Sequence, residues 1–242
     1  VALERPCFSP VGEADYCYPP VYKAQAPDLL YRNDGNGTFA EVSYEAGLHE
    51  AYGYGLGVVG GDFDSDGWSD IFVANDGSKN QLWVNGGDGT FKDEALLRGC
   101  ALDESGMAKA GMGVDAIDVD DNNTLDLLVV NLREETNSYF RNEGAFFVDA
   151  TATSGLAVGS DLLTRFGVAL IDFDNDGWLD LYTANGRIAL NNAPKGDRFA
   201  QPNSLFRGVP GARFQETSSA GTAQVLVATS RGAAFGDVDN DG

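Results

Sequence analysis

The apolar residues of this chain come in short runs. Gly57-Val58-Val59-Gly60-Gly61, Val114 to Ile117 and Val168 to Ile171 have the continuous apolar character of strands buried on both faces. After an acidic break each is followed by a second run rich in β-formers: Ile71-Phe72-Val73, Leu127 to Val130, and Leu181-Tyr182-Thr183. Third strands are predicted at Gln81 to Val84 and Ser138 to Arg141. The turns Asn85-Gly86-Gly87-Asp88-Gly89 and, earlier, Asn33-Asp34-Gly35-Asn36-Gly37 carry the Asn and Gly residues that hairpins with positive φ require. Fourth strands begin at Phe39, Phe91, Phe147 and Phe214, and the stripe Phe39, Phe91, Phe147 is expected in the core. Four antiparallel strands in roughly 55 residues is the period of a propeller blade, so the expected fold is all-β, a β-propeller of four-stranded antiparallel blades.

The acidic breaks carry the chemistry. In Asp62-Phe63-Asp64-Ser65-Asp66-Gly67-Trp68-Ser69-Asp70, carboxylates stand at positions 1, 3, 5 and 9, the Trp68 carbonyl at position 7, and a glycine at the sharp turn. Calcium takes six to eight oxygens at about 2.3–2.6 Å, and this spacing supplies them; magnesium prefers stricter octahedral geometry and keeps its waters. Asp172, Asp174, Asp176, the Trp178 carbonyl and Asp180 repeat the pattern. Asp118, Asp120, Asn122, the Thr124 carbonyl and Asp126 repeat it with Asn122 for the third aspartate and Asn123 for the glycine. Asn still offers a carbonyl and tolerates the left-handed region, but the lost charge predicts weaker binding there. A fourth copy opens with Asp237, Asp239 and Asp241 and reaches Gly242 without its last ligand. The first aspartates, 62, 118, 172 and 237, are 56, 54 and 65 residues apart, and Gly57, Gly113, Gly167 and Gly232 each precede one by five. Asn75, Asn131 and Asn185 each follow a loop's last aspartate by five. Such phase-locking means one unit copied several times.

Composition narrows the function. A formal charge of −21 over 242 residues argues against nucleic acid and anionic membrane surfaces, and four calcium ions would return only about +8. No apolar run approaches the roughly 18 residues of a membrane span. Residues 1–27 show little periodicity, and a disulfide between Cys7 and Cys17 is expected to staple them, the alternative being two free thiols. Cys100 reads as a small buried hydrophobe. With calcium loops and a staple, the expected location is extracellular or at the cell surface. No signal peptide stands at Val1, which suits a mature form or an internal segment.

These motifs resemble the FG-GAP/VCBS repeats of integrin α-subunit propellers, and are most similar to the ASPIC/UnbV and cartilage acidic protein group. Leu30-Tyr31-Arg32-Asn33-Asp34-Gly35-Asn36-Gly37-Thr38-Phe39, then Glu41-Val42 and Ala46-Gly47-Leu48, carry the likeness, which covers about residues 28–242. It implies loops that join the first and second strands of a blade and carry calcium. Full blades are expected at about 54–99, 110–155 and 163–221, a half blade at 28–48 and the start of another at 224–242. About 13 extra residues between Asn185 and Phe214 are expected to form a surface loop. The chain reads as an ordered part of a larger ring; a ring of four and completion by a neighbouring molecule are the alternatives.

The reading of function that follows is a non-enzymatic adhesion, ligand-binding or structural module, rigid with calcium, whose loops bind an extracellular protein or glycan. One alternative is a calcium-dependent polysaccharide lyase or hydrolase: Tyr52, Tyr54 and Arg165 are suitable residue types, but no spacing selects them, and the one histidine, His49, reads as structural or solvated. The other is a filament assembled by strand addition at blade edges. Trp68 and Trp178 are expected to pack beside the neighbouring blade rather than on a sugar. Asn36-Gly37-Thr38 and Asn122-Asn123-Thr124 match the glycosylation sequon, the second inside a metal loop.

Overall fold

A computed structural model of the chain describes residues 6–9, 12–188, 196–217 and 225–236. Near the N-terminus the short strands β1 (Cys7–Phe8) and β2 (Ala14–Asp15) pair, Cys7 and Cys17 are joined by a disulfide with Cα atoms 5.3 Å apart, and one helical turn, α1 (Pro19–Tyr22), follows. The hairpin β3 (Tyr31–Asn33) and β4 (Phe39–Glu41) forms a two-stranded sheet.

Three four-stranded antiparallel sheets come next. The first contains β5 (Gly55–Gly61), β6 (Asp70–Asn75), β7 (Gln81–Asn85) and β8 (Phe91–Asp93), followed by the short helix α2 (Ala95–Arg98). The second contains β9 (Gly111–Ile117), β10 (Asp126–Asn131), β11 (Ser138–Asn142) and β12 (Phe147–Asp149). The third begins with β13 (Arg165–Ile171) and β14 (Asp180–Asn185); then, after β15 (Gln201–Pro202), come β16 (Ser204–Val209) and β17 (Arg213–Glu216). β15 pairs instead with β18 (Val227–Ala228), so the extra residues before Phe214 contribute a strand as well as a loop, with 189–195 outside the described residues. The chain is thus all-β in its sheets, arranged consistently with a propeller; among the described residues no ring closes.

The core lies between the sheets. Along each second strand alternate side chains face opposite neighbours, so both faces are buried and the run is apolar throughout. Phe72, Ala74 and Leu82 of the first sheet meet Leu127, Val129 and Phe140 of the second; Leu128, Val130 and Tyr139 on its other face meet Leu181 and Phe206 of the third. Burial of such side chains contributes about 1.5–3 kcal/mol each. Cys100 is fully buried in the first of these layers, and burial raises its thiol pKa.

The in-phase glycines mark where first strands touch. A Cβ on Gly57 would lie 3.1 Å from the Met112 carbonyl oxygen, one on Gly167 would lie 2.5 Å from the Ala233 nitrogen, and one on Gly113 would collide with the Phe166 carbonyl. Only glycine lets backbones approach this closely. Immediately before each glycine the pairing slips by one residue, leaving Leu56, Met112 and Phe166 as bulges that line one cavity of about 660 Å³ with Tyr16, Ile188 and Phe199.

Two expectations fail. Phe39 is 62% exposed because its sheet has two strands and presents nothing to cover that face, whereas Phe147 is 5% exposed between two full sheets. Trp68 and Trp178 remain 53% and 36% exposed. Each lies on a glycine of its own sheet, Gly87 and Gly208 respectively, where the missing side chain leaves room for the indole or its Cβ.

Candidate metal centres

The three described loops, 62–70, 118–126 and 172–180, each join a first strand to a second and share one hydrogen-bond plan. Position 1 gathers the turn: Asp62 accepts from the amides of Asp66 (3.1 Å) and Gly67 (2.9 Å), Asp118 from Asn122 and Asn123, and Asp172 from Asp176 and Gly177. Position 5 accepts from the amide two residues on: Asp66 from Trp68, Asn122 from Thr124, Asp176 from Trp178. The turn needs two left-handed residues, at position 4 (Ser65, Asp121, Asn175) and position 6 (Gly67, Asn123, Gly177), and Asn123 adopts φ 67° as the sequence suggested. At position 4 only Asp121 and Asn175 are residue types enriched in the left-handed region, and Ser65 is not, so this second turn residue was missed in the sequence.

Position 9 is a brace. Asp70 accepts from the Phe63 amide (3.0 Å) and from the Asn85 amide at the end of the third strand (2.8 Å). Asp126 does the same with Val119 and Asn142, and Asp180 with Phe173 and Gly208. Asp126 also accepts from the Tyr139 hydroxyl at 2.9 Å. Burial raises the pKa of all three, that of Asp126 to about 6. In two of the loops the residue at position 2 inserts into the neighbouring layer: Phe63 is 1% exposed against Phe147 and Val119 joins the next layer, whereas Phe173 of the third loop is 45% exposed.

Position 3 meets an arginine each time, from a helix in the first unit and from the same position of the third strand in the other two. Arg98 of α2 reaches Asp64 (2.8 Å), Arg141 of β11 lies 3.9 Å from Asp120, and Arg207 of β16 bridges Asp174 and Asp176, the latter at 3.0 Å. These arginines stand 21 to 34 residues from the aspartates they meet, at spacings that differ between copies, and gave no signal in the sequence.

A sequence profile described as "FG-GAP-like repeat" matches residues 21–73, 62–129 and 118–183, spanning most of the chain and all three loops. The chain belongs to the FG-GAP-like repeat family. It is also similar to Cartilage acidic protein 1: 27% identical over 204 residues to that of Xenopus tropicalis, covering 77% of this chain and 28% of that protein. The Mus musculus protein matches at 28% and the Homo sapiens protein at 27%, each over 191 residues, 76% of this chain and 27% of theirs. The chain therefore spans little more than a quarter of these relatives' length.

FG-GAP-like loops imply calcium, and the residues here fit it. Carboxylate oxygens of Asp62, Asp64 and Asp66 lie within 4.8 Å of one another, as do those of Asp118, Asp120 and Asp126, and of Asp172, Asp174 and Asp180. Oxygens bound at about 2.3–2.6 Å to one ion are separated by no more than about 5 Å. Oδ1 of Asp64 and Oδ1 of Asp120 are buried without a hydrogen-bond partner, a costly arrangement for a carboxylate that a cation would satisfy. The sequence-predicted ligands are thus grouped unevenly: Asp70 and Asp176 stand outside these triads, the first held by two amides and the second by Arg207. Asp237, Asp239 and Asp241 lie outside the described residues.

Of the residues named for a lyase, Tyr52 is 53% exposed. Arg165 is fully buried, donates to the carbonyls of Gly159, Ser160 and Leu163, and has its pKa lowered to about 10 by burial. His49 stacks on Tyr44 with ring centroids 4.2 Å apart.

Proposed function

We propose that this FG-GAP-like chain is part of an extracellular calcium-binding β-propeller that acts as a non-enzymatic adhesion or ligand-binding module. Asp62, Asp64, Asp66, the Trp68 carbonyl and Asp70 would hold the first ion, with Asp118, Asp120, Asn122, the Thr124 carbonyl and Asp126 at the second loop. Asp172, Asp174, Asp176, Trp178 and Asp180 would serve the third. The observation that carries this reading is the unpartnered, buried Oδ1 of Asp64 and of Asp120, each beside a position-1 carboxylate that is held in place by two amides. A bound calcium ion supplies the positive charge that lets three carboxylates share one loop. The protein's part is to hold the oxygens in place through the amides of positions 2, 5, 6 and 7, so that ion binding adds to folding free energy.

The disulfide, the likeness to proteins named for cartilage, and the lack among the described residues of any helix long and apolar enough to cross a membrane support the extracellular setting. A ligand of protein or glycan type is preferred over filament growth, since the outer strands β8 and β12 have three residues each and offer short templates for strand addition. Native mass spectrometry of the chelator-treated chain, titrated with calcium, tests the metal reading: occupancy rising to three or four ions supports it, and no uptake refutes it. For the ligand, retention on immobilised matrix glycans or proteins only when calcium is present is expected; release of new unsaturated sugar ends would establish the lyase instead.

A further inference from the structure

Resting on the calcium reading, we propose that the first two loops bind their ions cooperatively through Asn142, whereas the third binds independently. Asn142 ends β11 and is fully buried. Its amide donates to Asp126 (2.7 Å), and its carbonyl accepts from Asn122 (2.9 Å) and Thr124 (2.8 Å), so it is built into the second loop. Its side-chain nitrogen donates at once to the Leu125 carbonyl (3.0 Å) in that loop and to the Phe63 carbonyl (2.8 Å) in the first. One amide group therefore joins position 2 of one metal loop to the framework of the next.

Two further contacts reinforce this junction. A Cβ on Gly61, the residue before Asp62, would lie 2.6 Å from the Leu125 side chain, so the second loop rests on the entry of the first. The Phe63 ring packs 6.2 Å from that of Phe147, in the strand beside Asn142. Filling the first loop fixes the Phe63 carbonyl, and with it the amide that shapes the second; the converse holds by linkage. The second loop, short of one carboxylate, gains most.

The equivalent residue in the third sheet is Gly208, which keeps the amide bond to Asp180 (2.7 Å) but has no side chain to reach back to the second loop. Among the described residues, side-chain bonds that cross that junction, from the Leu170 amide to Asp115 (2.9 Å) and from the Arg133 amide to the Thr164 hydroxyl (3.3 Å), touch neither loop. In the first sheet the equivalent is Asn85, whose side chain donates within its own sheet, to the Ser69 carbonyl (3.0 Å).

Calcium titration by calorimetry on the full chain tests this. With the third loop disabled by Asp174→Asn, the remaining pair should fill with a Hill coefficient above 1, and disabling the first loop by Asp64→Asn should weaken the second on the order of five-fold. Asn142→Gly, which copies Gly208, should abolish this linkage, while Asn85→Gly, which removes a side chain at the same position of another sheet, should leave it intact. Independent filling of loops one and two, or linkage that survives Asn142→Gly, overturns the proposal alone; the loop-disabled variants decide it even if Asn142→Gly does not fold. Failure of every form to take up calcium overturns the metal reading and this proposal with it.

Discussion

The two ends of the sheets follow different plans. At the loop end one hydrogen-bond network is written three times, with Asp62, Asp118 and Asp172 holding the turn and Asp70, Asp126 and Asp180 bracing it to the third strand. At the other end the bulge recurs, and the side-chain amides of Asn75, Asn131 and Asn185 each tie the end of a second strand to the start of the third, but what surrounds them differs from copy to copy. There Tyr16 of the disulfide-closed segment lies near buried Asp76, Lys109 spans Thr136 and Ser138, and Arg165 is sealed over Phe206. Apart from the Asn142 bond to the Phe63 carbonyl, the loop-end bonds named above lie within about one repeat; those at the other end draw in the N-terminal segment and residues of 196–217 and 225–236. The proposed cation sites need identity between copies and lie where the sequence repeats. The proposed recognition of a ligand would need individuality, and the cavity between Leu56, Met112 and Phe166 lies where the surroundings of the copies differ.

The largest test of this contrast removes a brace. Asp126→Ala strands the Val119 and Asn142 amides and the Tyr139 hydroxyl, and should cost about 3 kcal/mol or more in urea unfolding with chelator present. A loss under about 1 kcal/mol would mean that the loop end is not held by position 9.

At the opposite end the expected effect is smaller and of opposite sign. Burial raises Asp76 to about 6, against about 3.9 in an unfolded chain, so the folded state holds this proton more tightly. Its contribution to stability is full below about pH 4 and is lost as pH rises through 6. Asp76→Asn keeps an acceptor for Tyr16 and should be more stable than the parent by about 1–2 kcal/mol at pH 7.5, with the gap closing near pH 4. Parallel stability profiles for parent and variant would remove Asp76 from the account.

The smallest effect separates the loops from one another. Arg207 is half exposed, and its bridge to Asp174 and Asp176 opposes a cation in the third loop. Arg207→Gln should raise calcium affinity there by about five-fold, in keeping with about 1 kcal/mol between solvated charges, with folding stability changed by under about 1 kcal/mol. Unchanged or weaker affinity would show that the arginine positions the carboxylates rather than competing for them.

How much of this was legible depends on range. The strands and loops could be read because their determinants lie within nine residues or recur in phase: Asn123 was placed in its left-handed turn, and the Cys7 to Cys17 staple was expected from two cysteines in an aperiodic segment. The in-phase glycines were visible but not their reason, since contact between Gly113 and the Phe166 carbonyl is a fact of neighbouring sheets. Phe39 was misplaced because a repeat position implies burial only where sheets stand on both sides. Asn142 was invisible for a similar cause. Its position is Asn85 in one copy and Gly208 in another, and only the three-dimensional junction gives the side chain a partner in the preceding loop.

The central claim, that the acidic loops are calcium sites that hold the sheets, is tested most directly by thermal unfolding of the chelator-stripped protein titrated separately with calcium and with magnesium. A strong rise in Tm with calcium, saturating near three or four ions per chain and weak with magnesium, is the predicted result. A midpoint indifferent to both ions would make the loops solvated acidic turns and contradict the account.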